Sequence, residues 1–155
     1  MLGRMTMDAL RNVLLVTNAT TDDEIAQIKQ IIARVKQPHL AIRLSLVHVI
    51  PTLPTCYFNI PSMVVLAERY YDEAKQSLAY VGDFLDIPQR DQWLITGRAR
   101  SEVLRLASQL NTHFILASST TIPELHKSYM FSRRVANPTP IRTIAQASLL
   151  DGTHQ

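Results

Sequence analysis

The sequence predicts an α/β fold, a parallel sheet covered by helices on both faces. Short apolar runs alternate with segments of helical periodicity along the 155 residues, which gives the order β-α-β-α-β-α-β-α-β. The first run, Asn12–Thr17, is nearly continuously apolar, the pattern of a strand that is buried on both faces. This alternation implies right-handed crossovers between parallel strands.

The first helix has the clearest sequence signals. Thr21 and Glu24 have the spacing of a capping box, in which each side chain satisfies the other residue's backbone N–H. Apolar residues at spacings of three and four follow, and they predict one buried face: Ile25, Ile28, Ile32 and Val35. We expect the helix to end before Pro38.

The same criteria place the later elements. Strands are predicted at 40–50, 93–96, 113–117 and 141–145. A long helix is predicted from Pro61 to Phe84, with Tyr71 among the residues of its apolar stripe. Ser101 is expected to cap the next helix, and a last helix is expected from about Pro123 to Val135.

Length and composition predict one globular domain, and the residues after the last predicted strand, 147–155, are expected to be a disordered tail. The chain is 46% hydrophobic and 19% charged, and no stretch has the length of a membrane span. We therefore expect a cytoplasmic protein that does not contact membranes. The one cysteine, Cys56, excludes an internal disulfide, and the five histidines lack metal-ligand spacing, so we expect no metal.

The run from Ser118 to Thr121 follows a predicted strand and precedes a predicted helix. A sheet of this kind usually binds its ligand there, outside the carboxyl end of a strand and against a helix N-terminus. A phosphate-binding loop needs close backbone N–H groups, which glycine permits, and this run contains no glycine. The position therefore suggests a nucleotide, whereas the residues argue against one.

Three segments of the chain carry recognisable motifs. Asn18 and Thr20 follow the first strand, Leu46–Val49 is a strand ending in His-Val, and Gly97–Val103 is a Gly-x-Ala segment that leads into a helix. In this order the segments make residues 11–146 resemble the universal stress protein A family, which usually has Asp and Ser at the first two positions and Gly-x-Pro in the last segment. The resemblance implies a five-stranded sheet in the order 3-2-1-4-5.

Nucleotide-binding members of that family carry three spaced glycines and then Ser or Thr after the fourth strand. The matching positions here are Ser118, Thr121, Phe131 and Ser132, so the spacing persists and only the final hydroxyl agrees. The resemblance therefore implies a vestigial nucleotide cleft, formed by Asn18, Ser118, Ser119, Thr121 and Ser132. We expect no cofactor, and ATP or AMP is disfavoured.

The resemblance implies a non-enzymatic universal stress protein that acts in stress response through protein contacts, with a partner that the sequence does not name. The family resemblance implies a homodimer paired through the strand at Ile141–Ala145. An enzyme is disfavoured because Ser118 and Ser119 lack a nucleophile elbow, and the flanking His113 and His126 have no catalytic companions.

Two alternatives stay open. The first is an adenine-nucleotide or small-anion sensor, in which hydroxyls replace backbone donors in the cleft after the fourth strand. The second is nucleic-acid binding by the basic part of the chain, since residues 97–155 hold seven Lys/Arg and three Asp/Glu. These basic residues form no dense block and have no interleaved aromatics, so we expect no nucleic-acid partner.

Overall fold

A computed structural model describes residues 10–35, 41–126 and 139–144. The strands within these ranges are β1 (Leu10–Val16), β2 (Ala41–Ile50), β3 (Gln92–Thr96), β4 (Phe114–Ala117) and β5 (Ile141–Thr143). The helices are α1 (Asp22–Val35), α2 (Pro61–Phe84), α3 (Ala99–Gln109) and α4 (Ile122–His126). Short 3₁₀ helices span Thr55–Asn59 and Gln89–Asp91.

All five strands form one parallel sheet in the order β3-β2-β1-β4-β5, which confirms the predicted fold. β1 is central: Val16 pairs with Val47 of β2, and Leu15 pairs with Leu116 of β4. β3 lies at one edge, as predicted. β2 and β3 lie on one side of β1, and β4 and β5 lie on the other, so the order of strands reverses between β1 and β4. Crevices at such a position commonly bind ligands.

Each face of the sheet has its own apolar core. Val13 and Leu15 of β1 pack in one core with residues of α1 and α2, whereas Leu14 and Val16 pack in the other with residues of α3 and α4. All four of these side chains are buried. This two-sided burial is the physical reason why β1 is a continuous apolar run rather than an alternating one.

The predicted start of α1 is confirmed. The Thr21 hydroxyl accepts a hydrogen bond from the Glu24 N–H, and a Glu24 carboxylate oxygen accepts one from the Thr21 N–H. The predicted limits of the long helix, Pro61 and Phe84, are also those of α2. Pro61 suits the first position of a helix because its missing N–H would have no intrahelical partner there.

The structure corrects the prediction for Ser101. α3 begins at Ala99, with Arg98 at the N-cap and no side-chain cap, so Ser101 lies inside the helix. Gly97 has φ 154°, which lets the chain turn sharply after β3 and enter the helix earlier than a Ser101 cap would allow.

Tyr71 was expected in the core, but it is exposed. α2 is about 36 Å long and packs against both β2 and β3. The buried residues of α2 all lie in its second half, from Ala74 to Gly82. The first half of α2 therefore extends past the part of the sheet that could cover it.

The end of the chain departs from the prediction in two places. β5 ends at Thr143, and Ile144 is buried beyond it, so the strand is shorter than the predicted 141–145. α4 begins at Ile122, one residue before the predicted start. Residues 127–135 of the predicted helix, Ala145 and the tail at 147–155 lie outside the described residues. Over the ranges described, no helix combines the length and apolarity needed to cross a membrane.

Candidate functional site

A cleft of about 770 Å³ opens at the carboxyl ends of the strands. The turn after β1, the end of β2, the loop from β3 to α3 and the loop from β4 to α4 surround it. Its lining residues are Asn18, Ala19, Val49, Pro51, Thr52, Gly97, Arg98, Ala99, Arg100, Ser101, Thr120 and Thr121. Both its volume and its place in the sheet are typical of small-molecule sites.

The turn after β1 is held by its own backbone and by one hydroxyl. Ala19 has φ 57°, a left-handed conformation that turns the chain away from the sheet. The Thr20 N–H donates to the Thr17 carbonyl oxygen at 3.3 Å, and the Thr20 hydroxyl donates to the Val16 carbonyl oxygen at 3.1 Å. The position that resembles the family's Ser therefore stabilises the turn.

The Asn18 amide bonds to the backbone of β2 at two points. Nδ2 donates to the Val49 carbonyl oxygen at 2.8 Å, and Oδ1 accepts from the Val49 N–H at 3.0 Å. Asn18 thus continues the pairing of β1 with β2 after the backbone of β1 has left the sheet. An amide fits this role because it presents a donor and an acceptor side by side, which an ionised carboxylate does not.

Hydroxyl groups in the β4–α4 loop bond mainly to one another. The Ser118 hydroxyl lies 2.9 Å from both the Thr120 and the Thr121 hydroxyls, and Ser118 is only 2% exposed. The Thr121 hydroxyl donates to the Asn18 carbonyl oxygen at 2.7 Å, which connects this loop to the turn after β1. These bonds fix the floor of the cleft from within.

The opposite wall is the N-terminus of α3. Gly97 donates its N–H to the Ile50 carbonyl oxygen at 2.9 Å, and a Cβ at Gly97 would lie 2.8 Å from Cγ of Glu102. The Arg100 guanidinium donates from Nη1 to the Leu125 carbonyl oxygen at 2.6 Å, so it connects α3 to α4. Arg98 is exposed and lines the cleft on the same wall.

Thr17 and His48 form a second polar contact between β1 and β2. The Thr17 hydroxyl donates to the Val47 carbonyl oxygen at 3.2 Å and lies 3.1 Å from Nδ1 of His48. Since the hydroxyl proton is used on Val47, we assign the proton of the second bond to Nδ1. Burial lowers the pKa of His48 below its ordinary value of 6.5.

The structure brings together only part of the predicted site. Asn18 and Thr121 line the cleft. Ser118 lies beneath its surface, and Ser119 is exposed but is not part of the lining. Ser132 lies outside the described residues. In the described part of the chain, no three His, Cys, Asp or Glu side chains are grouped so that they could hold a metal ion.

Sequence reasoning did not assign the α3 wall to the site. Gly97 was a usable signal for it, because a glycine after a strand often marks a close backbone approach or a special turn. Pro51 and Thr52 gave no comparable signal, since their place in the cleft depends on where the end of β2 lies in the sheet.

Comparison with solved structures supports the fold. The hypothetical protein MJ0577 aligns with a TM-score of 0.54 at 15% identity, over 86% of this chain and 95% of that chain. The hypothetical protein PH0823 aligns with a TM-score of 0.43 at 16% identity, over the same shares of the two chains. No protein-family model matches the chain, and no curated protein does. The likeness to MJ0577 shows the fold, a five-stranded parallel sheet in the order 3-2-1-4-5 with helices on both faces, and nothing of activity.

Proposed function

We propose that this chain is a cytoplasmic universal stress protein that acts as a homodimer through contacts with other proteins. In this proposal it catalyses no reaction and binds ATP weakly. The observation that carries the proposal is that the polar groups of the β4–α4 loop and of Asn18 form hydrogen bonds within the protein. The polar groups that would meet a phosphate there already bond to one another and to the sheet.

Phosphate binding at such a loop depends on several N–H groups turned toward one point. Two of these N–H groups, those of Thr121 and Ile122, donate to the Ser118 carbonyl oxygen at 3.0 and 3.1 Å. The side chains of Thr120 and Thr121 line the cleft where a glycine would leave space. A nucleotide would therefore have to break hydrogen bonds within the loop or bind without backbone N–H groups around its phosphates. Each of these lowers the affinity for the nucleotide.

A small-anion or nucleotide sensor is the second candidate, and the α3 wall favours it. The first turn of α3 has no side-chain cap, and its residues Ala99 to Ser101 line the cleft beside Arg98. An uncapped helix N-terminus attracts negative charge. In this alternative the anion would lie against α3 rather than in the β4–α4 loop.

Calorimetric titration of the full chain with ATP, and separately with AMP, tests the proposal. We expect no dissociation constant below about 100 μM, a binding free energy no stronger than roughly −5.5 kcal/mol. Low-micromolar binding would reject the proposal and favour the sensor. Arg98→Ala would then show where the ligand lies, because it removes the exposed one of the two guanidinium groups on the α3 wall and leaves the β4–α4 loop intact.

A further inference from the structure

The β3 strand forms an open edge of the sheet. Among the described strands it pairs with β2 alone, so its other side has no neighbouring strand. Gly97 shows which groups face that side. Its N–H donates to the Ile50 carbonyl oxygen of β2, so the Thr96 carbonyl, in the same trans peptide, points the opposite way. Because backbone groups alternate along a strand, the N–H and carbonyl groups of Leu94 and Thr96 face the open edge.

These backbone groups have no partner within the described residues. The ladder with β2 uses the alternate residues Trp93 and Ile95, and the Gln92 N–H turns back to the Gln89 carbonyl oxygen. The open edge thus presents a row of free groups, namely the N–H and carbonyl groups of Leu94 and Thr96 and the carbonyl of Gln92. An extended peptide presents donors and acceptors at the same spacing, so it is the kind of molecule that pairs with such an edge.

β3 lacks the features that usually keep an exposed edge from pairing. Charged residues, prolines and bulges are the common ones. The five residues Gln92–Thr96 contain no charge and no proline. Their register with β2 runs without interruption from Gln92 to Thr96, so the strand has no bulge. The edge is therefore straight, uncharged and open to a further strand.

Trp93 gives this edge an apolar contact surface. In the register with β2, Trp93 pairs with Val47 and Ile95 pairs with Val49, and both valines pack in the core with α3 and α4. Leu94 packs on the other face of the sheet. Trp93 is 36% exposed although it lies in a strand. A strand added to the edge places every second side chain on the face of this indole, so apolar residues at alternate positions fit it.

Arginines lie at both ends of the strand. Arg90 precedes β3 and Arg98 follows it, and both are exposed. The carboxylates nearest to them in the chain, Asp91 and Glu102, form ion pairs with other arginines. Both ends of the edge are therefore positively charged, and acidic residues at the two ends of a bound peptide complement them.

The same arginines argue against a second copy of this chain as the occupant. Two β3 strands paired about a two-fold axis run antiparallel, so Arg90 of one copy would lie beside Arg98 of the other. Like charges at neighbouring positions of paired strands are destabilising. The charges that flank β3 thus favour an acidic peptide over self-pairing.

We propose that the open edge of β3 binds an extended segment of a partner protein, with apolar residues at alternate positions and acidic residues at both ends. The segment pairs through its backbone with Leu94 and Thr96 and packs an apolar side chain on Trp93. This inference rests on the proposed function, because it names the surface through which the chain contacts other proteins. A homodimer paired through β5 leaves this surface free, since β3 and β5 lie at opposite edges of the sheet.

Fluorescence of Trp93 gives a direct test, because it is the only tryptophan in the chain. The probe is a peptide with blocked ends and the sequence Asp-Val-Thr-Val-Thr-Val-Asp, which has the proposed pattern. Titrated into the full chain, it should shift the emission of Trp93 to shorter wavelength and saturate, because the indole leaves water on binding. The same peptide with Lys in place of both Asp residues is the charge control, and we expect it to bind at least about tenfold more weakly.

Thr96→Pro blocks the edge on the side of the protein. The Thr96 N–H faces outward and its side chain is exposed, so proline removes no hydrogen bond to β2. We expect this variant to bind the acidic peptide at least about tenfold more weakly than the unchanged protein. Thr96→Val is the matched control, because it keeps the N–H, and it should bind as the unchanged protein does. Circular dichroism confirms that both variants are folded.

N-methylated peptides test the backbone pairing without any change to the protein. Alternate N–H groups of a bound strand face β3, and the others face away. One peptide is methylated at its valine amides and a second at its threonine amides. Binding should be lost in one of the two and kept in the other, because only one set of N–H groups pairs with β3.

The proposal is wrong if the acidic peptide leaves the Trp93 emission unchanged at millimolar concentration, if Thr96→Pro binds it as tightly as Thr96→Val, or if the two methylated peptides behave alike. It is also wrong if the emission shifts with protein concentration alone and Thr96→Pro halves the molar mass, since β3 then pairs with a second copy. The ATP titration separates this inference from the proposed function. Tight ATP binding together with specific peptide binding rejects the function and leaves the β3 contact standing, whereas weak ATP binding without peptide binding rejects only the β3 contact.

Discussion

Asn18 and Val49 form a two-point contact that joins β1 to β2 at the edge of the cleft. Before this contact, the Thr17 N–H donates to the Val47 carbonyl oxygen at 2.8 Å, as in an ordinary parallel ladder. The chain then turns, and the Asn18 side chain takes over from the backbone, bonding to both the N–H and the carbonyl of Val49. One residue thus stabilises the sheet and shapes the cleft.

We predict that Asn18→Asp destabilises the protein at neutral pH by about 1–3 kcal/mol. A carboxylate can accept from the Val49 N–H, but its other oxygen would face the Val49 carbonyl, which Asn18 Nδ2 meets at 2.8 Å. Protonation of the carboxyl would restore a donor, so the loss should be smaller near pH 4. Urea denaturation at the two pH values measures both effects.

The matched variant is Asn18→Ala, which removes both bonds and adds no charge. Its loss of stability should be the same at both pH values relative to the unchanged protein. If Asn18→Asp is as stable as the unchanged protein at neutral pH, Val49 is not the partner that determines the residue at position 18.

We predict that Thr121→Val costs about 1–2 kcal/mol of stability. Valine has nearly the same shape as threonine but lacks the hydroxyl that bonds to Ser118 and to the backbone carbonyl of Asn18. That carbonyl oxygen therefore loses its donor. Thr120→Val is the control, because Thr120 is exposed and its hydroxyl bonds to Ser118 but not to the turn after β1 within the described residues. Chemical denaturation should give a clearly smaller loss for the control. Equal losses would mean that the hydroxyls do not hold the two loops together.

Gly82 and Gln92 should show strong energetic coupling. A Cβ at Gly82 would lie 2.0 Å from Nε2 of Gln92, which donates to the Ile87 carbonyl oxygen at 2.9 Å. We expect Gly82→Ala to cost about 1 kcal/mol in the unchanged protein, because it displaces this carboxamide. In a Gln92→Ala background it should instead stabilise α2 by about 0.5–1 kcal/mol. A double-mutant cycle from denaturation curves gives the coupling energy, and additive effects would reject the contact.

His48 should make stability depend on pH. Because burial lowers its pKa in the folded protein, the unfolded chain binds a proton more readily as the pH falls below 6.5. The contribution of His48 to the free energy of unfolding is therefore complete above pH 6.5. It is lost as the pH falls from 6.5 toward the pKa of His48 in the folded protein. The slope from this group is less than about 1.4 kcal/mol per pH unit.

Melting temperatures between pH 7.5 and 5 test this dependence. His48→Gln removes the titrating ring and keeps a side chain that can donate to the Thr17 hydroxyl. We expect the melting temperature of the variant to fall less across this range than that of the unchanged protein. If the melting temperatures of the variant and of the unchanged protein fall by the same amount, the pH dependence of stability comes from groups other than His48.

The sequence predicted the fold because its signals are local. The continuous apolar run of β1, the capping box at Thr21 and the proline at position 61 each depend on residues within a few positions of one another. The errors fall where a result depends on distant parts of the chain. Periodicity placed Tyr71 on the buried side of α2, but it carries no information on how far the sheet extends beneath that side.

By itself, the sequence determined the order of elements, the central position of β1 and the place of a cleft beside the Ser118–Thr121 run. Those features follow from hydrophobic period, from turn chemistry and, for the strand order, from the family resemblance. Tertiary structure decided what the polar groups of the cleft do. Asn18 bonds to Val49, 31 residues away, and Thr121 to Asn18, 103 residues away. No local pattern specifies such partners, because only the packed sheet brings the ends of β1, β2 and β4 together.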